Sequence, residues 1–319
     1  SAIVGAFFII SLFYFLRMEF YTTIQDFTGV YSQQPFMQEL RRIATESVKK
    51  QSDENYAGIY WMDCSKINGT DCYCDDDAQA ELNKLMSQAL ENVRCSTKNN
   101  ARNSAEIGTE IAAVLPGVHF FDNGNYHYNS KLWTDRIQES FDLVIFDHHP
   151  DMQPPRFEGI LSCGGWVKDV LDNNPFIRNV VLIGVADHLI EEIKNEPSAE
   201  FEKYATRVTF IPESTLRDLS SPLSNGSLRG DADVAIEALA FLRSQSIYIS
   251  IDKDALSLTD AVTNWDQGSL TFAQLEQTLR ALFVNHKILG VDICGERANN
   301  QDYADGMDEG SADAKNNEL

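Results

Sequence analysis

Residues 143–151 read LVIFDHHPD, four apolar residues that run without interruption into Asp147, His148, His149, Pro150 and Asp151. A short run that is apolar at every position, rather than at every second one, is the pattern of a strand covered on both faces. Such strands belong to parallel sheets sandwiched between helices. Working outward, similar runs occur at 58–62 (GIYWM), 118–121 (VHFF), 180–185 (VVLIGV), 208–211 (VTFI), 247–251 (IYISI) and 288–293 (ILGVDI). Helical apolar periodicity falls at 36–50, 76–93, 231–245 and 271–284. Buried strands separated by helix-length spacers predict an α/β fold, three-layer α/β/α with a mostly parallel sheet. No repeat and no Pro/Gly/Ser-rich linker divides the chain, so a single domain is expected from 18 to 298.

The 319 residues carry 26 Lys and Arg against 48 Asp and Glu, a formal charge of −22. A surface that acidic repels phosphate backbones and anionic lipid, so neither nucleic acid nor a membrane is expected as a partner. Six cysteines in a chain this long are too sparse for a disulfide scaffold, which makes a reduced, cytoplasmic location the expectation. The pair Cys72 and Cys74 has no second pair at zinc-ribbon spacing and is expected to have a local or inert role. Residues 2–16 are apolar except for Ser11. The run is shorter than the ~20 residues that span a bilayer, and it lacks the basic flank and small-residue cleavage site of a signal peptide. Residues 1–17 are therefore expected to lie upstream of a natural start at Met18, with a signal or a membrane anchor as the alternatives. Residues 299–319 are acidic with little apolar periodicity and read as a disordered tail.

In sheets of this kind the working residues lie just beyond the carboxyl ends of the strands. If the chain stays extended past Phe146, side chains alternate and Asp147, His149 and Asp151 project to one side. IYISI runs likewise into Asp252-Lys253-Asp254, whose two carboxylates would point one way. Four carboxylates in one cleft repel each other unless positive charge neutralises them. Oxygen-rich ligation with one or two imidazoles suits Mn²⁺, and Zn²⁺ or Fe²⁺ less well. His127, on the connection after VHFF, is a further candidate ligand.

The order His127, then Asp147-x-His149-x-Asp151, then Ser250-Ile251-Asp252-x-Asp254, with GVDI at 290–293, resembles the ureohydrolase superfamily of arginases, agmatinases and formiminoglutamases. The resemblance covers about 115–296 and implies an arginase-like fold with two Mn²⁺ per chain. It implies one ion held by His127, Asp147, Asp151 and Asp252, and the other by His149, Asp147, Asp252 and Asp254, with Asp147 and Asp252 bridging. Asp151 would also orient the attacking water and relay its proton. The implied reaction is hydrolysis of a linear amidine C–N bond, guanidino or formimino, in a small molecule. Members of the family often form homo-oligomers.

Two positions depart from the family pattern. Arginases carry a proton-shuttling His a little over a dozen residues after the DxHxD motif, where this chain reads Leu161-Ser162-Cys163-Gly164-Gly165-Trp166. Cys163 is the candidate substitute, with a small buried residue in a glycine turn as the plainer reading. The Glu that reads a guanidinium is replaced by Gly295, and Glu296 follows one residue late. Gln153, Asp187 and Glu296 are the candidate substrate contacts, and Trp166 is expected in the core. Two other readings stay open: a single-zinc deacetylase-like amidohydrolase, and a metal-binding protein of the same fold without catalysis.

Overall fold

The strand that ends at the DHHPD sequence sits inside an eight-stranded sheet whose neighbouring strands all pair in parallel. The computed structural model describes residues 20–47, 58–100, 115–155, 159–220 and 238–298. The strands are β1 (Tyr21–Asp26), β2 (Ile59–Asp63), β3 (Tyr73–Cys74), β4 (Gly117–Phe120), β5 (Phe141–Phe146), β6 (Leu161–Ser162), β7 (Ile177–Ile183), β8 (Val208–Ile211), β9 (Ser246–Asp252) and β10 (Lys287–Cys294). In the main sheet they run β2-β1-β4-β10-β9-β5-β7-β8, while β3 and β6 form a separate antiparallel pair. The helices are α1 (Pro35–Ser47), α2 (Asp76–Asn100), α3 (Asn129–Thr134), α4 (Trp166–Asn173), α5 (Asp187–Asn195), α6 (Glu213–Ser220) and α7 (Phe272–Asn285).

The apolar runs make this sheet because both of its faces are covered. From β5, Val144 and Phe146 enter one cluster together with Leu40 of α1, Leu216 of α6 and Leu279 of α7. Leu143 and Ile145 enter the other, with Leu82 of α2, Val167 and Val170 of α4 and Ile190 of α5. That gives three layers, as expected. Burying each such aliphatic side chain stabilises the fold by about 1.5–3 kcal/mol.

Of the differences from the sequence-based expectation, two have a plain physical cause. The strand β1, YTTIQD, is buried at every position, yet its Thr and Gln residues conceal it from a hydropathy reading. Gln25 is satisfied internally, donating to Asn129 Oδ1 at 2.9 Å and accepting from Trp133 Nε1 at 2.9 Å. The helix expected over 231–245 is described only from 238 and ends at 241. There the Asp142 carboxylate accepts the backbone N–H groups of Arg243 and Ser244 and turns the chain into β9. The apolar segment 1–17 and the tail 299–319 lie outside the described residues. Among the described residues no helix is long and apolar enough to cross a membrane.

The strand order places the site. From β4 the chain crosses two sheet positions to β5, and β9 and β10 later fill the gap. The connection leaving β9 runs back to β10 while the one leaving β5 runs outward to β7, so the two diverge between β9 and β5, and the crevice at such a switch point is where ligands bind in open α/β sheets.

Candidate metal centre

Register pairs Phe146 of β5 with Ile251 of β9. Asp252 is the last residue of β9 and Asp147 the first residue beyond β5, so both follow directly on this paired rung. The third contributor arrives from the β4 connection, where a short turn at Gly124–Tyr126, capped by the Asn123 side chain, delivers His127 into the buried interior. His127 Nε2 lies 2.8 Å from Ser250 Oγ, which in turn lies 2.9 Å from Ser130 Oγ. This arrangement leaves Nδ1 facing carboxylates: 3.1 Å from Asp147 Oδ2, 3.1 Å from Asp151 Oδ2 and 3.7 Å from Asp252 Oδ2.

His149 mirrors that geometry. Its Nδ1 lies 2.9 Å from Asp254 Oδ2 and 3.5 Å from Asp147 Oδ1, while Nε2 lies 3.1 Å from Asp266 Oδ1. Of three donor groups, two meet at one carboxylate: His127 with Asp147 and Asp151, and Asp147 with His149 and Asp254. Asp147 belongs to both. Asp252 joins His127 from the other side, and Cys294 Sγ lies 3.2 Å from Asp252 Oδ2 beneath it.

The six residues converge by a different route from simple alternation. The strand stops at Phe146, the chain bends at 148–149, and Asp151 takes a left-handed backbone at φ 47°. Its carboxylate is aimed by Trp166, whose indole Nε1 donates to Oδ2 at 2.7 Å, and its carbonyl accepts the Val167 N–H at 3.0 Å. Trp166 is fully buried, as expected, and it also holds this candidate ligand. Asp254 sits in a 3-10 turn, Lys253–Ala255, capped by Asp252 Oδ1, which accepts the Asp254 N–H at 3.0 Å. Asp254 Oδ1 accepts the His148 N–H at 3.0 Å, tying the two loops together.

Electrostatics show what the cluster requires. Burial, then repulsion from Asp254 and Asp147, pushes the Asp252 carboxyl up to about 7. Asp254 is raised by burial and by Asp147. Burial opposes charge on His127, yet bonding to Asp147 and Asp151 outweighs it and holds the imidazole well above its usual range. His149 is raised in the same way by Asp147, Asp254 and Asp266 against its burial. Its bond to Asp266 brings that carboxyl down to about 2. Protons here supply the positive charge that the packed carboxylates demand, and four carboxylates with two imidazoles are a donor set that fits divalent cations. The backbone also makes room: a Cβ at Gly124 would lie 2.9 Å from Asp252 Oδ2, and one at Gly295 would crowd Asp252 Oδ1 and lie 2.6 Å from Lys253 N.

All six candidate ligands line a cleft of about 960 Å³, together with Gln153 and Cys163. Two expected substrate contacts do not reach it. Glu296 is buried in an ion pair with Lys253 and accepts from Gln34 Nε2 at 2.8 Å, because Gly295 at φ 90° turns the chain one residue early. Asp187 instead caps the start of α6, accepting the Ser214 N–H at 3.0 Å and the Ser214 hydroxyl. Gln153 is anchored on the cleft wall through its N–H to the Gly164 carbonyl, 2.8 Å. The sequence reading missed Asp266, a lone acidic residue in NWDQG that nothing local distinguishes, and Ser130, which supports Ser250. It also missed Cys72 lying beside Cys163.

No protein-family profile matches the chain. Over 190 residues, 59% of this chain and 62% of the relative, it is 28% identical to an uncharacterized protein of Thermotoga maritima, so the match spans less than two thirds of that protein's length. Among solved structures it superposes on an arginase from Bacillus caldovelox with a TM-score of 0.57, at 14% identity, covering 94% of this chain and 95% of that one. A formimidoylglutamase from Bacillus subtilis superposes with a TM-score of 0.55, also at 14% identity, covering 94% and 85%. The fold is thus the α/β/α fold of the solved ureohydrolases.

Proposed function

We propose that this protein is a divergent hydrolase of the ureohydrolase superfamily, holding two manganese ions and cleaving a linear amidine C–N bond of guanidino or formimino type in a small molecule. The observation that carries this reading is the pair of donor clusters sharing Asp147 at the floor of the cleft. One ion would be held by His127, Asp147, Asp151 and Asp252, the other by His149, Asp147, Asp252 and Asp254. Bound there, two cations would acidify a water and polarise the amidine carbon.

The chain's own residues supply the remainder. Ser250 and Asp266 fix the far ring nitrogens of His127 and His149 and so present both Nδ1 atoms to the centre. Trp166 holds one Asp151 oxygen, which leaves the carboxylate placed to accept a proton from the attacking water and pass it to the departing amine. Gln153 and Cys163 line the wall where a substrate would lie. Glu296 is committed to Lys253 and Gln34, while Glu192 and Glu196 line the cleft wall.

The test is elemental analysis of protein produced in manganese-supplemented medium, followed by assays for amine or ammonia release from guanidino and formimino compounds. Two manganese ions per chain with turnover supports the proposal. One zinc per chain would replace it with the deacetylase-like reading, and two metals without turnover would leave a binding protein of the same fold.

A further inference from the structure

We infer that Cys72 and Cys163 form a redox-active dithiol that closes to a disulfide across the lip of the cleft. The strands β3 and β6 pair antiparallel, Tyr73 opposite Ser162 and Cys74 opposite Leu161. Just past the ladder, where Cys72 takes a left-handed backbone at φ 58° and Cys163 opens a 3-10 turn, the Cys163 N–H donates to the Cys72 carbonyl at 2.9 Å. The two residues adjoin the rung Tyr73–Ser162, and strand partners lie ~4.5–5.5 Å apart at Cα, while a disulfide bridges ~4.4–6.8 Å. The two thiols lie near enough for each to shift the other, Cys163 lowering Cys72 and Cys72 raising Cys163. Both are partly buried and line the cleft, whereas Cys64, Cys74 and Cys294 are buried. This pair is therefore the dithiol that a solute can reach among the described cysteines.

The bond would join two segments that each stand one contact from the candidate ligands. Asp71, beside Cys72, accepts from Asn125 Nδ2 at 2.8 Å on the turn that delivers His127. After Cys163 come Gly164, whose carbonyl accepts the Gln153 N–H, and Trp166, which holds Asp151. Oxidation thus pins the cleft wall and removes the Cys163 thiol from the site.

The oxidant is a low-molecular-weight disulfide such as oxidised glutathione. One cysteine, as thiolate, attacks it, forming a mixed disulfide and expelling one reduced thiol. The second cysteine then attacks the protein sulfur of that mixed disulfide, forms the Cys72–Cys163 bond and expels the second thiol. Two electrons and two protons pass from the protein to the oxidant. The inference does not depend on the metal or on turnover.

The test equilibrates the full chain with oxidised glutathione, alkylates it and maps its peptides by mass spectrometry. The expected result is a Cys72–Cys163 cross-linked peptide, an intact mass lower by two hydrogens and full reversal by dithiothreitol. Cys72→Ser and Cys163→Ser should each abolish the cross-link and accumulate glutathione on the remaining partner, while Cys64→Ser keeps it. A stable glutathione adduct on wild-type Cys72 or Cys163, alkylation of both thiols despite excess oxidant, or a cross-link to Cys74 would each overturn it. The wild-type map decides the matter even where a variant fails to fold.

Discussion

At the scale of single residues, the centre consists of donors whose directions are set by partners. Asp147 is common to both donor clusters, and Asp252 stands beside it on the neighbouring strand. If both bridge, Asp147→Ala and Asp252→Ala should each empty the whole site, leaving close to no metal per chain by elemental analysis; two metals retained in either variant would refute the binuclear arrangement. Ser250→Ala tests orientation rather than ligation, since it removes the bond at His127 Nε2 and no candidate ligand. Metal affinity, measured by competition with a chelator, should fall by about 10–100-fold with the fold intact. The donor types were legible in the sequence because Asp and His in DxHxD and DxD stand out against the apolar runs that precede them. Ser130, Trp166 and Asp266 were not legible as supports, because each acts through a contact distant in sequence.

At the scale of elements, the carboxyl end of β10 does two things at once. Its alternate residues pack the sheet, and Gly295 then turns the chain where a side chain would strike the Asp252–Lys253 segment. Gly295→Ala combines a φ of 90° with that clash. It should destabilise the protein by about 1–3 kcal/mol in urea unfolding and weaken metal binding as well. A variant with wild-type stability and affinity would mean that the turn is not tightly determined. Within β5, Leu143→Ala should cost about 2–5 kcal/mol by leaving a cavity between the sheet and its helices. Most strands announced themselves as apolar runs. The strand β1 did not, because its polar side chains are satisfied inside the fold, and the helix expected to 245 stops at 241 because Asp142 captures the following backbone.

At the scale of the whole molecule, a chain of net charge −22 concentrates carboxylates at a crevice where its sheet topology diverges, between β9 and β5. Without metal, the folded chain holds protons there that the unfolded chain would release. Asp252, raised from 3.8 to about 7, binds an extra proton between those values, so its contribution to stability falls as pH rises through that window. The two imidazoles are raised as well; their contribution is present below 6.5 and is lost as pH climbs above it. The melting temperature of metal-stripped protein should therefore fall from about pH 5 to pH 8, and the increase on adding Mn²⁺ should grow over the same range as cations displace those protons. A metal-free chain that becomes more stable with rising pH would contradict this account. Sequence alone determined the three-layer class and the chemical types at the strand ends, because periodicity and composition are local properties that a linear reading can see. Tertiary structure alone decided that Asp147 stands beside Asp252, that Asp187 and Glu296 turn away from the cleft, and that Cys72 faces Cys163. Those outcomes depend on strand register and on turns fixed by distant partners, and once a strand ends its side-chain directions are no longer set by its own sequence.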